Sequence, residues 1–169
     1  MTKTASRWMQ AAQRMETVAQ ALYADLSVAF SEHPRLRRLF QRLAAEEEQH
    51  AMRIQLLQRH GGKFAWPRDV LERFCGQCDA MAAEIAILRK ELGPFPASND
   101  AMSVLRRLAE MEDRFCSIHA QDLARNAGPE VQALFASLAT QDSAHRELIQ
   151  TAMAEGVARP PAGIARPHG

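Results

Sequence analysis

The sequence predicts an all-α protein of 169 residues: two helical hairpins forming an antiparallel four-helix bundle, with an additional helix in the crossover between them. Three observations carry that prediction. Glycine and proline fall in a few clusters, and the segments between them are rich in Ala, Leu, Arg, Glu, Gln and Met, which favour helix. No sustained alternation of apolar and polar residues marks a strand, and β-branched residues are few. Within each segment, apolar residues recur at steps of three and four, the spacing of one helix face.

The first helix is expected over 5–32, with the seam Met9, Ala12, Glu16, Ala19, Tyr23, Leu26 and Phe30, stopping at His33-Pro34. The second, over 35–60, has Pro34 near its first turn and Gly61-Gly62 beyond its end. Its seam is Leu36, Phe40, Leu43, Glu47, His50, Ile54 and Leu57. The third, over 69–92, has Asp69 as a candidate cap and an apolar stripe of Leu71, Phe74, Cys78, Met81, Ile85, Leu88 and Leu92. Gly93-Pro94 and Pro96 end it. The fourth, over 99–127, can be capped by Ser98 or Asn99 and carries Leu105, Leu108, Glu112, Phe115, His119 and Asp122. The fifth, over 130–155, follows Gly128-Pro129 and aligns Val131, Phe135, Leu138, Asp142, His145, Ile149 and Ala152. Residues 1–155 thus form one domain, made of hairpin 5–60, crossover helix 69–92 and hairpin 99–155. The proline-rich stretch 156–169 is expected to be a disordered tail.

Composition narrows the function classes. A formal charge of +1 offers neither a basic nucleic-acid surface nor an acidic solvating tail. No apolar run is long enough for a membrane span, and the polar start does not read as a signal peptide. Three cysteines form no disulfide framework, so a reducing, cytoplasmic setting is expected.

The acids on the seams carry the chemistry. Leu39-Phe40-x-x-Leu43-Ala44-x-x-Glu47-x-x-His50 repeats as Leu134-Phe135-x-x-Leu138-Ala139-x-x-Asp142-x-x-His145, 95 positions on. Met15-Glu16 repeats as Met111-Glu112, 96 positions on. An acid three before a histidine arises by chance about 0.7 times in a chain of this composition, so the two pairs mean little as a count. Their placement decides. Each lies mid-helix between Leu and Phe, where an unpaired carboxylate costs several kcal/mol and no seam arginine can neutralise it. Two divalent cations would balance Glu16, Glu47, Glu112 and Asp142. Residues at i and i+3 share a helix face, so each acid–histidine pair can present an oxygen and a nitrogen together.

This pattern resembles the ferritin-like superfamily and, within it, the rubrerythrin-type di-iron carboxylate proteins. Their bundles supply one Glu from each of two helices and Glu-x-x-His from each of the other two. The resemblance covers roughly residues 10–153 and rests on Glu16, Glu47-x-x-His50, Glu112 and Asp142-x-x-His145. It implies two iron ions, or manganese in their place, with Glu47 and either Glu112 or Asp142 bridging and His50 and His145 capping one metal each. It also implies an oxidoreductase that reduces H2O2 or O2, or oxidises ferrous iron, in a homodimer. The alternative is a non-catalytic iron-binding or helical interaction protein. Three features depart from the family pattern. Asp142 stands in place of a Glu, shortening that arm by ~1 Å. Ala109 and Phe115, three residues either side of Glu112, supply no further acid. No four-cysteine rubredoxin module is present, so redox turnover needs an external electron donor.

Tyr23, two turns after Glu16, can hydrogen-bond a ligand carboxylate, serve in electron transfer, or simply be a core aromatic. His119 lies ~10 Å from Glu112 along the helix axis and is expected behind the ligands or in the core. Cys75-Gly-Gln-Cys78 lacks the βαβ setting of a redox pair, so Cys78 is expected to be a buried structural thiol. Glu46, Glu48 and Arg35-x-Arg37-Arg38 are expected to face solvent.

Overall fold

The computed structural model describes residues 3–60, 67–92, 101–120 and 128–156. Five helices are present among them: α1 (Lys3–Ala29), α2 (Pro34–His60), α3 (Arg68–Leu92), α4 (Ala101–His119) and α5 (Pro129–Ala154). The fold is all-α, with α1, α2, α4 and α5 forming a ferritin-like bundle and α3 as the crossover helix.

Local chemistry sets the helix ends. α1 stops at Ala29 rather than at residue 32, because the chain tightens into a turn. Ser31 N–H donates to Val28 O at 3.1 Å, and His33 N–H to Phe30 O at 2.9 Å. Pro34 then disfavours helical backbone at His33 and opens α2. Pro129 likewise opens α5, where Gly128 O accepts from Val131 and Gln132 N–H. Gly156, with φ 63°, provides the left-handed turn after α5 that a Cβ would disfavour. The expected helical stretch 121–127, including Asp122, the caps Ser98 and Asn99, and the tail 157–169 lie outside the described residues.

α1 packs along α2 and α4 along α5, while α2 meets α5 to join the hairpins. α3 lies against α1 and touches α4 lightly. The seams read from the sequence are the buried faces: every seam residue of α1, α3 and α5 is buried, as is every described one of α4. In α2 only Leu57 is part-exposed. Aromatic rings close both ends of the core. Trp8, Phe74 and Phe135 form a triangle with centroids 5.7–6.2 Å apart, joining α1, α3 and α5. Phe30, Phe40 and Tyr23 pack at the other end of α1 and α2. Exposed Arg89–Asp25 and Arg107–Glu91 pairs tie α3 to its neighbours but contribute little each. Between the two aromatic ends, a cluster of polar side chains is buried in the apolar core.

Candidate metal centre

Glu16 on α1, Glu47 and His50 on α2, Glu112 and His119 on α4, and Asp142 and His145 on α5 are all buried at the centre of the bundle. Two groups of ligand atoms converge there. Glu16, Glu47 and His50 form one; Glu47, Glu112 and His145 form the other. In the first, His50 Nδ1 lies 3.3 Å from Glu16 Oε2 and 3.2 Å from Glu47 Oε2. In the second, His145 Nδ1 lies 3.1 Å from Glu47 Oε1 and 3.5 Å from Glu112 Oε2. Glu47 therefore gives one oxygen to each group. The two imidazoles stack across it, with centroids 5.5 Å apart and planes within 10°.

The donor set fits two transition-metal ions. Both Glu47 oxygens, Glu16 Oε1, Glu112 Oε2 and His145 Nδ1 are buried and make no hydrogen bond among the described residues. Buried acceptors are normally satisfied, and several such atoms around shared centres mark a place for cations. Imidazole nitrogen with carboxylate oxygen suits iron or manganese.

Charge is held in strained balance when protons stand in for metals. Burial and the negative charge of Glu16 push Glu47 up to about 8. Burial raises Glu112 as well. Burial opposes ionisation of Glu16, but the neighbouring imidazoles of His119 and His50 hold it well below the carboxylate range. The histidines go the other way. Burial would neutralise them, yet Glu16 and Glu47 raise His50 to about 10. Glu112 and Glu47 raise His145 to about 11, and Asp142 and Glu16 raise His119 to about 10.

Three placements refine the expectations from sequence. Tyr23 donates its hydroxyl to Glu112 Oε1, so it grips a buried carboxylate of the other hairpin rather than Glu16 on its own helix. Burial, then the charges of Glu112 and Glu47, keep that hydroxyl protonated. Tyr23→Phe is expected to destabilise the fold by about 1–3 kcal/mol, measured by chemical unfolding, because a buried acceptor loses its donor.

Glu46 does not point freely into solvent. Its Oε2 accepts from His145 Nε2–H at 2.7 Å, and its Oε1 accepts from Arg42 Nε–H at 2.8 Å. Burial disfavours the Glu46 charge, but Arg42 and His145 hold its pKa below the ordinary value. Glu46 thereby fixes the orientation of the His145 ring, whose Nδ1 faces Glu47 and Glu112. His50 has no such partner among the described residues: its Nε2 is buried without a hydrogen bond. Glu46→Gln should weaken the metal at the His145 position by about 10–100-fold in a metal titration, with little effect at the His50 position. Glu48 and Arg35, Arg37 and Arg38 are exposed, as expected.

Asp142 joins neither convergent group. Its Oδ2 accepts from His119 Nδ1–H at 2.7 Å. His119 Nε2 in turn lies 3.1 Å from Glu16 Oε1. The ~10 Å separation from Glu112 along α4 does not remove His119 from the centre, because it reaches across the bundle to the other hairpin. Cys75 and Cys78 are buried thiols, with burial raising both pKa values, so they remain protonated and inert.

Fold and site together define an all-α ferritin-like bundle with a candidate dinuclear metal centre. No family model, curated protein or solved structure matches the chain.

Proposed function

We propose that this chain binds two iron ions, or manganese in their place, and is an oxidoreductase of the rubrerythrin type. Its substrates would be H2O2 or O2, with ferrous iron itself as a further one. The observation that carries the reading is the single carboxylate, Glu47, shared between two groups that each add one carboxylate and one histidine. The ligands proposed are Glu16, Glu47, His50, Glu112 and His145. When bound, a pair of redox metals would supply two-electron chemistry, avoiding one-electron products.

The chain's own residues support that chemistry by holding the pair rigidly and in the dry. Tyr23 orients Glu112, and Glu46 orients His145. Complete burial of Glu16, Glu47, Glu112 and His145 excludes bulk water. Cys75 and Cys78 are buried and protonated, and turnover would draw on an external donor. A cytoplasmic homodimer is the setting proposed.

The test is elemental analysis joined to stopped-flow mixing of the ferrous-loaded protein with O2 and, separately, H2O2. Oxidation faster than that of free Fe²⁺ in the same buffer is expected with at least one oxidant. Two bound irons oxidised by neither faster than free Fe²⁺ would leave a non-catalytic iron-binding protein.

A further inference from the structure

The internal repeat makes Asp142 the counterpart of Glu47, 95 positions on, yet the two residues are used differently. Glu47 faces both histidine ligands, whereas Asp142 lies outside both groups and is bonded to His119. The missing methylene accounts for part of this, because it draws the carboxylate back by ~1 Å. His119 accounts for the rest.

His119 and Tyr23 also occupy matching places, each seven residues after the single carboxylate of its hairpin. Each reaches the carboxylate of the other hairpin. Tyr23 donates to Glu112 Oε1, and His119 Nε2 lies against Glu16 Oε1. The two outer carboxylates are thus met crosswise, Glu112 by a hydrogen bond and Glu16 by an ion-pair contact at 3.1 Å. One grip is a phenol; the other is an imidazole that needs an acid behind it to fix its ring, and Asp142 is that acid. All four groups of this arrangement, Tyr23, Glu112, His119 and Glu16, are fully or almost fully buried, and so is Asp142.

We propose that Asp142 acts on the metal centre through His119, orienting the ring set against Glu16, so that the pair of metals has one protein carboxylate bridge, Glu47, and not two. Asp142 and His119 are positioning residues. The inference rests on the dinuclear reading above and specifies its ligand set.

The test uses the full chain loaded anaerobically with Mn²⁺, which reports both the number of bound ions and their magnetic coupling by electron paramagnetic resonance. Asp142→Asn and His119→Gln should each retain two Mn²⁺ per chain and a coupled signal, with affinity lowered about 10–100-fold. The double variant should be no weaker than the weaker single one, since both changes break one linkage. Glu47→Gln should lose the coupled signal. Loss of one ion or of coupling in Asp142→Asn, with His119→Gln unaffected, would overturn the proposal. A crystal structure of the Mn²⁺-loaded wild type needs no folded variant. Both Asp142 oxygens should then lie beyond about 3 Å from either ion, outside bonding distance. An Asp142 oxygen on a metal would overturn this inference and leave the dinuclear reading standing. A wild type that binds no metal would overturn both.

Discussion

Glu47→Gln is expected to abolish tight binding of both metal ions, whereas Glu16→Gln and Glu112→Gln should each weaken one. The difference follows from geometry. Glu47 Oε2 faces His50 and Glu47 Oε1 faces His145, so one side chain serves both positions. Glu16 and Glu112 each belong to one group. An amide keeps the shape but gives up the charge that draws the cations in. The same change should barely alter unfolding of the metal-free protein at neutral pH. Glu47 is pushed up to about 8 there and is already mostly uncharged. Metal titration followed by thermal unfolding separates these effects. Equal losses for all three variants would contradict the shared position of Glu47.

The second large effect is on pH. Metal must displace protons from His50, raised to about 10, His145, raised to about 11, and Glu47, raised to about 8. Each displaced proton makes the binding constant tenfold larger per pH unit, so binding of the pair should strengthen by about 100-fold or more per unit between pH 6 and 7. Proton release on mixing with Mn²⁺ in weakly buffered solution measures it directly. Release of fewer than two protons per chain would contradict the account.

Stability of the metal-free protein should run the opposite way. A histidine raised on folding contributes fully below its unfolded value of 6.5, and the contribution is lost as pH rises through about 10–11. Glu47, also raised, contributes below 4.5 and loses that contribution as pH rises through about 8. Glu16 is lowered, so its contribution is present above 4.5 and is lost in acid. Metal-free unfolding temperatures should therefore fall from neutral pH towards pH 11. The gain in unfolding temperature on adding metal should grow over pH 6–8.

Much of this centre was legible in the sequence because helical periodicity converts directly into a buried face. Acids at Glu16, Glu47, Glu112 and Asp142 interrupt apolar stripes that have no other reason to contain charge, and all four are buried. Contacts across the bundle were not legible. Seam spacing gives the height of a residue on its own helix but not its neighbour on another, so His119 was measured against Glu112 and not against Glu16. The repeat held a usable signal, since the matching places of Tyr23 and His119 imply matching crosswise roles. Glu46 was hidden for a different reason. It sits one residue off the seam, and only the direction of the His145 ring reveals that its carboxylate lies behind a ligand nitrogen.

The most direct measurement is the number of metal ions bound per chain and their coupling, in wild type and in Glu47→Gln. The wild type should bind two Mn²⁺ or Fe²⁺ ions per chain with a magnetically coupled signal, and Glu47→Gln should show neither. One ion per chain, two uncoupled ions, or a coupled pair that survives in Glu47→Gln would contradict a dinuclear centre built on Glu47.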